Sequence, residues 1–408
     1  MCPVQAETNS TALGFPREIE DSLRQVREFF VAIVEAVCGT DARAKDVSDR
    51  FGLHAKLGWQ IWNVANSDPL TGYRFLPNEH GIKVWRLAAT QRGIPAELFD
   101  RLEGAIGGLH HLIAVHAGDE QLFEMLVDSQ AGESYDEVEL KWRKQAFLGN
   151  AFTFGARVKC QLASAILFPC KRPNRFGLVR VHGLIELVRT RIGVKWPIST
   201  LVVEQPDGTA TAPRREPLFP SPDSSGLVPF ISDYCSKPLP AVERRDDGEK
   251  IYDELLPGLV GLTGATTVFT GEILHDVGPT HGLKEGEIAH FGSGVRTPAE
   301  LLIADHIVHR SLFPGEPREL RVYSELITQN ARHDAELLHV SEKLESLGTG
   351  LHRIRTADVP NYAEMLTEAF GKIGMDPNEF HVFRVRMRFP PMPISVMVKH
   401  PLPPPPEV

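Results

Sequence analysis

The 408-residue sequence predicts an α plus α+β chain, a helical N-terminal region followed by a β-rich mixed C-terminal region. Three observations predict it. Up to about residue 168, apolar residues recur at steps of three and four, the period of one helix face. After Pro169 come a basic loop and short β-like runs. Further on, Gly and Thr crowd residues 251–293, and the run Phe380–Phe389 alternates apolar and charged residues, the period of a strand. With 42% apolar and 24% charged residues, the composition excludes a wholly disordered, collagen-like or coiled-coil chain.

Residues 1–14 are small and polar and read as a loose tail. Pro16 then opens a helix, with acids in its first turns, the face Leu23, Val26, Phe30, Ile33 and Val37, and Gly39 as its stop. Helices are predicted over 43–51, 54–66 and 79–92, then from Pro95 with Leu98, Leu102 and Leu109 inward, then from Asp119 to Asp128. Residues 136–168 read as one long helical pattern, weakened by Gly149 and Gly155 and broken at Pro169. The helical region is thus 15–168. Residues 169–250 hold a basic loop, strands near 178–181, 184–188 and 198–203, and a bridge with eight prolines between 206 and 240. Residues 251–400 read as a β-rich α+β domain, with helices over Pro298–Leu312 and 360–373 and strands over 320–326, 380–389 and 394–398. Residues 401–408 form a proline-rich tail.

Residues 44–63, AKDVSDRFGLHAKLGWQIWN, carry the strongest motif. Two crossing helices need a small residue at the crossing, a turn glycine that takes positive φ, and apolar residues at fixed offsets. Ser48, Gly52 and the set Val47, Phe51, Leu53 and Ile61 supply these. The stretch resembles the helix-turn-helix units of bacterial transcription regulators, departing at Gly58, where a branched apolar residue is usual. The resemblance implies DNA contact by His54, Lys56, Gln60 and Asn63 on the second helix, since Gln and Asn can pair with adenine and Lys can reach phosphate or guanine. The alternative is an ordinary pair of core helices burying Trp59 and Trp62.

The net charge of −9 is unevenly spread, for a block over 141–195 holds 12 Lys and Arg against one acid, Glu186. Lys141, Arg143, Lys144, Lys171, Arg172 and Arg175 of this block are candidate phosphate contacts. The competing reading docks the block on acidic parts of the chain or of a second subunit. The odd cysteine count and the lack of any CxxC point to a reducing compartment.

Nucleophile-elbow, P-loop and dinucleotide motifs are absent, and nothing calls for a cofactor. Asp305, His306 and His309, placed on a helix with Asp305 and His309 four apart, are a candidate metal set. A second histidine–carboxylate cluster runs from Glu272 through His275, Asp276 and His281 to His290. Arg384, Arg386 and Arg388 are expected on an exposed strand face. The leading expectation is a cytoplasmic, homo-oligomeric DNA-binding regulator with a ligand-sensing or dimerising C-terminal part and no membrane segment. A self-assembling protein built on acidic–basic matching and a metal-dependent enzyme are the alternatives.

Overall fold

The computed structural model describes residues 14–129, 135–202, 215–220, 228–246, 250–282, 286–313, 318–326 and 334–404. The chain divides into two units, residues 1–139 and 140–408. It is helical first and β-rich afterwards, as its sequence predicts.

The first unit holds α1 (Gly14–Cys38), α2 (Ala44–Phe51), α3 (Ala55–Asn66), α4 (Pro69–Gly72), α5 (Glu79–Thr90), α6 (Ala96–His116) and α7 (Glu120–Asp128). Asn78 and Asp119 each accept a backbone N–H at a helix start, satisfying donors that the helix itself cannot. Trp85 of α5 is the hub of the core, with its ring centroid 4.8 Å from Phe30 and 5.2 Å from Phe99. Val26, Ile33, Val47, Phe51 and Ile61 pack around it.

Between α2 and α3, Gly52 takes φ 67°, a left-handed conformation that costs glycine no Cβ clash. Gly58 is buried at the helix crossing. A Cβ there would stand 2.2 Å from Ser48 Oγ and 2.9 Å from Ser48 Cα. Gly58 is therefore the second half of a small-residue crossing, and its lack of a side chain is what lets the two backbones approach. Neither tryptophan is a buried core residue: Trp59 is 46% exposed, edge-on to Phe75, and Trp62 is half-buried with its indole N–H on the carbonyl of Ala42.

The second unit takes up most of α8 (Tyr135–Phe154) and all of the strands. These are β1 (Ala156–Pro169), β2 (Phe176–Arg189), β3 (Trp196–Val202), β4 (Arg215–Pro217), β5 (Val242–Asp246), β6 (Lys250–Leu255), β7 (Thr266–Val277), β8 (Ile288–Val295), β9 (Ala299–His309), β10 (Glu319–Ser324), β11 (Leu337–Leu338) and β12 (Glu345–Thr349). Helix α9 (Tyr362–Ile373), β13 (Phe380–Arg388) and β14 (Ile394–Pro401) complete it. A seven-stranded sheet runs β12-β13-β9-β1-β2-β7-β4, a four-stranded sheet β11-β10-β14-β8, and a three-stranded sheet β3-β6-β5.

One expected helix ends early and gives way to a strand, and another is a strand. The pattern over 136–168 stops at Phe154, Gly155 turns the chain at φ 77°, and Ala156–Pro169 forms β1, which pairs antiparallel with β2 and parallel with β9. The expected helix over Pro298–Leu312 is β9. Both strands are covered on both faces, so their apolar residues run on without alternation, and such runs match a buried helix as well as a strand. In the proline-rich stretch, residues 203–214 and 221–227 lie outside the described residues. Where it is described, Leu218, Val228, Phe230 and Ile231 are buried against the large sheet. Residues 1–13 of the expected tail and 405–408 of the last one also lie outside the described residues.

One face of the large sheet packs on α9, with Tyr362, Leu366, Ala369 and Phe370 meeting Leu162, Ile303 and Ile307. On this face Asp305 accepts two hydrogen bonds from Arg384, at 2.8 and 2.7 Å, and one from the Tyr362 hydroxyl at 2.8 Å. All three residues are buried. The other face meets the four-stranded sheet through Leu302, Val385 and Met387 against Val295, Val322, Ile394 and Val396. There His306 and His400 bring their Nε2 atoms to 2.5 Å, walled by Phe291 and Phe313.

Candidate ligand-binding cleft

A cleft of about 600 Å³ opens within the second unit, where the four-stranded sheet no longer covers the large one. Its floor follows from strand register. Arg180 faces Glu272 across β2 and β7, His182 faces Thr270, and Leu184 faces both Val268 of β7 and Gln161 of β1. Residues directly opposite in a sheet share a face, so these side chains stand side by side.

Glu272 is buried and held between two guanidinium groups. Arg180 Nε donates to its Oε1 at 2.6 Å, and Arg215 of the edge strand β4 donates to Oε2 at 2.8 and 2.5 Å. Burial works to raise the Glu272 carboxyl, but Arg180 and Arg215 outweigh it and hold the group below the usual carboxylate range. Beside it, burial and the charge of Arg180 bring His182 down to about 4, so this imidazole is neutral at pH 7. At the far end, Arg296 pairs with the buried Glu325 at 2.9 Å, and the Ser395 hydroxyl donates to the same carboxylate. Arg244 clasps Asp253 on the three-stranded sheet.

Each of Arg180, Arg215 and Arg296 spends its Nε and Nη2 on a carboxylate. Among the described residues, their Nη1 groups have no partner. Gln161 donates from Nε2 to the carbonyl of Gly294 at 3.1 Å, while its Oε1 is buried and has no donor among the described residues. A buried acceptor left unpaired costs about 1–3 kcal/mol. The cleft thus offers unused donors and an unused acceptor, which is what recognition of a polar molecule requires.

Of the expected site residues, Glu272 lies in this cleft, and so does Arg180 of the basic block. The metal set Asp305, His306 and His309 does not form. On a strand, His306 points to the opposite face from Asp305 and His309. Asp305 is saturated by Arg384 and Tyr362, His306 is paired with His400, and His309 sits between Ser311 and Glu379. Among the described residues, no group of three or more His, Cys, Asp or Glu could hold a metal ion. In the second cluster, His275 approaches Glu216 and Asp276 approaches Arg172 instead.

His54 and Lys56 stand exposed at the start of α3, the former accepting the N–H of the latter. Gln60 is half-buried, and Asn63 is folded back onto the carbonyl of Trp59. Arg143 is no phosphate contact: it is buried and bonded to Glu342 and to the carbonyls of Phe389 and Arg388. Lys141 and Lys144 lie over the rings of Trp142 and Phe389. Lys171, Arg172 and Arg175 are exposed on the β1–β2 hairpin. Much of the remaining basic block is spent within the chain, Arg157 on Glu300 and Lys195 on Glu243 among others. Arg384 is buried on Asp305, whereas Arg386, paired with Asp358, and Arg388 are exposed, so two of the three match the expected exposed arginine face.

Sequence reasoning missed Gln161, His182, Arg215, Arg244, Arg296, Asp253 and Glu325. One local signal existed: Gln161 is a polar residue inside the apolar run of β1.

No family model matches the chain, and no curated protein matches it. A solved structure of a "putative protease" from Parabacteroides distasonis is similar at 8% identity over 60% of this chain, with a TM-score of 0.23. The match spans 40% of that protein's chain, and a likeness of this size carries no argument about fold or activity.

Proposed function

We propose that residues 140–408 form a binding unit for a small polar molecule bearing an anionic group, seated in the cleft between β2, β7 and β8. One observation carries the reading: the free Nη1 groups of Arg180, Arg215 and Arg296 line the same cleft as the unpaired Oε1 of Gln161. Guanidinium groups already oriented by carboxylates need little ordering on binding, which favours affinity. A thermal-melt screen of carboxylate- and phosphate-bearing metabolites tests it. The expected result is a ligand that raises the melting temperature of the wild type and not of Arg215→Gln. A screen in which no anion stabilises the protein overturns it. The unpaired Cys38, Cys160, Cys170 and Cys235 suit a reducing compartment such as the cytoplasm. Among the described residues, no helix is long and apolar enough to cross a membrane.

A second reading, duplex-DNA binding by α3, is favoured by the exposure of His54 and Lys56 beside the Gly52 turn. Charge weighs against it, since residues 1–139 hold 12 Lys and Arg against 22 acids, and much of the basic block meets acids inside the other unit. Fluorescence anisotropy over a salt series, with Lys56→Ala and Gln60→Ala, decides the matter. DNA binding predicts affinity that falls linearly in log–log salt and is reduced by both substitutions.

A further inference from the structure

The cleft has a feature that a pocket for a compact anion does not need. Among the described residues, strand β8 is the outermost strand of its sheet and pairs only with β14. Gly292, Gly294, Ser395 and Met397 lie on one face of that sheet, by register, and Ser293 lies on the other. All five line the cleft. Residues of both faces can line one cavity only where it runs round an open edge.

The direction of the edge groups follows from Gln161. Its amide donates to the Gly294 carbonyl, so that carbonyl points away from β14 and into the cleft. In a strand the N–H and C=O of one residue point the same way, and alternate residues repeat the direction. The Gly294 N–H and both backbone groups of Gly292 therefore face the cleft too. Such an edge is a template for one more strand.

Charge sets the ends of that strand. At one end, Arg180 and Arg215 share the carboxylate of Glu272, and Glu216, which also lines the cleft, approaches His275. At the other end, Arg296 is matched by Glu325, and Gln161 Oε1 asks for a donor. Along β2, Arg180 and Leu184 (opposite Gln161) are four residues apart, roughly 13 Å at strand rise. A free amino acid is too short to reach both ends, whereas an extended segment of about four residues fits.

We infer that the cleft binds a short extended peptide by β-addition to β8, with its C-terminal carboxylate at Arg180 and Arg215 and an N–H or ammonium donor at Gln161. The inference rests on the reading of the cleft as an anion-binding site and adds the class of ligand. Equilibrium dialysis of the full chain tests it with three probes: a degenerate tetrapeptide pool with free carboxylates, the same pool C-terminally amidated, and the same pool N-methylated on alternate backbone nitrogens. Succinate serves as a compact anion for comparison. The expected result is retention of the free-acid pool, at least tenfold weaker retention of the amidated pool, and at least fivefold weaker retention of the N-methylated one. In Arg215→Gln the preference for the free acid falls below threefold, while backbone N-methylation still weakens binding. Retention of succinate without any peptide overturns the peptide inference and leaves the anion site standing. Retention of neither overturns both. Equal retention of plain and N-methylated pools removes β-addition.

Discussion

The buried pair His306–His400 makes the second unit acid-labile by an amount that the structure sets. The two Nε2 atoms are 2.5 Å apart, so one ring donates the shared proton and the other, neutral, accepts it. Burial, with the charge of Arg318 added, brings His400 down to about 3, and burial together with His400 and Arg318 pushes His306 down as well. A histidine in the unfolded chain titrates near 6.5. Below that pH the unfolded state gains protons that the folded state refuses, so the stability from the neutral pair is complete above about pH 6.5 and is lost as pH falls. At pH 4.5 the loss from His400 alone is about 3 kcal/mol, two pH units at about 1.4 kcal/mol each. His306 adds to it with the same sign. The perturbation is the double variant His306→Leu/His400→Leu, which suits the surrounding phenylalanines. Single His400→Leu strands the His306 Nε2 and costs about 1–3 kcal/mol at pH 7.5. Urea unfolding at pH 7.5 and 4.5 reads both, in the transition that the single variant shifts. The wild type should lose at least about 3 kcal/mol more than the double variant between these pH values. Equal losses would refute the claim that the pair is held neutral.

Four further outcomes follow from the packing within the two units. Asp305→Asn leaves the Arg384 guanidinium buried without its counter-charge and should cost about 3–5 kcal/mol, read as a lowered melting temperature, whereas Tyr362→Phe removes one hydrogen bond and costs about 1 kcal/mol. Gly58→Val drives a branched side chain into the Ser48 backbone and should destabilise the helical unit by about 1–3 kcal/mol or more, seen in helical circular dichroism on heating. Arg143→Ala strands Glu342 and two carbonyls, and should lower the urea midpoint of the second unit by the equivalent of about 3 kcal/mol.

The helical unit was legible because its pattern is local. Leu23, Val26, Phe30 and Ile33 repeat at the helical period, and the same residues line its cores. Gly52 was legible for the same reason, since one residue's φ decides a turn. Gly58 was harder: in sequence it is a missing apolar plug, and only the crossing shows it to be half of a pair with Ser48. Strands β1 and β9 were misread because burial on both faces erases the period of two that marks a strand. The cleft was the least legible part. Arg180 and Glu272 meet across 92 residues, and Arg296 and Glu325 come from just past the ends of β8 and β10. In sequence, Arg180 belongs to a basic block and Glu272 to a histidine cluster, and register alone joins them. The excess of basic residues over 141–195 was visible from the outset, while its partners Glu300, Glu243 and Glu272 were not.

The parallel pairing of β1 with β9 also dictates when the second unit can form. Val158 lies opposite Ala299, and β9 is then closed by β13, which ends at Arg388. A chain leaving the ribosome exposes β1 and β2 as an apolar hairpin before the strands that flank them exist: β7 ends 88 residues after β2, and β9 ends 120 residues after it. At about 5–20 residues per second, the wait for β9 is roughly 6–24 seconds. The helical unit, built from near neighbours, can finish during that interval. Chaperone capture should therefore concentrate on nascent chains whose exposed length lies between the ends of β2 and β13, and vanish once Arg388 has emerged.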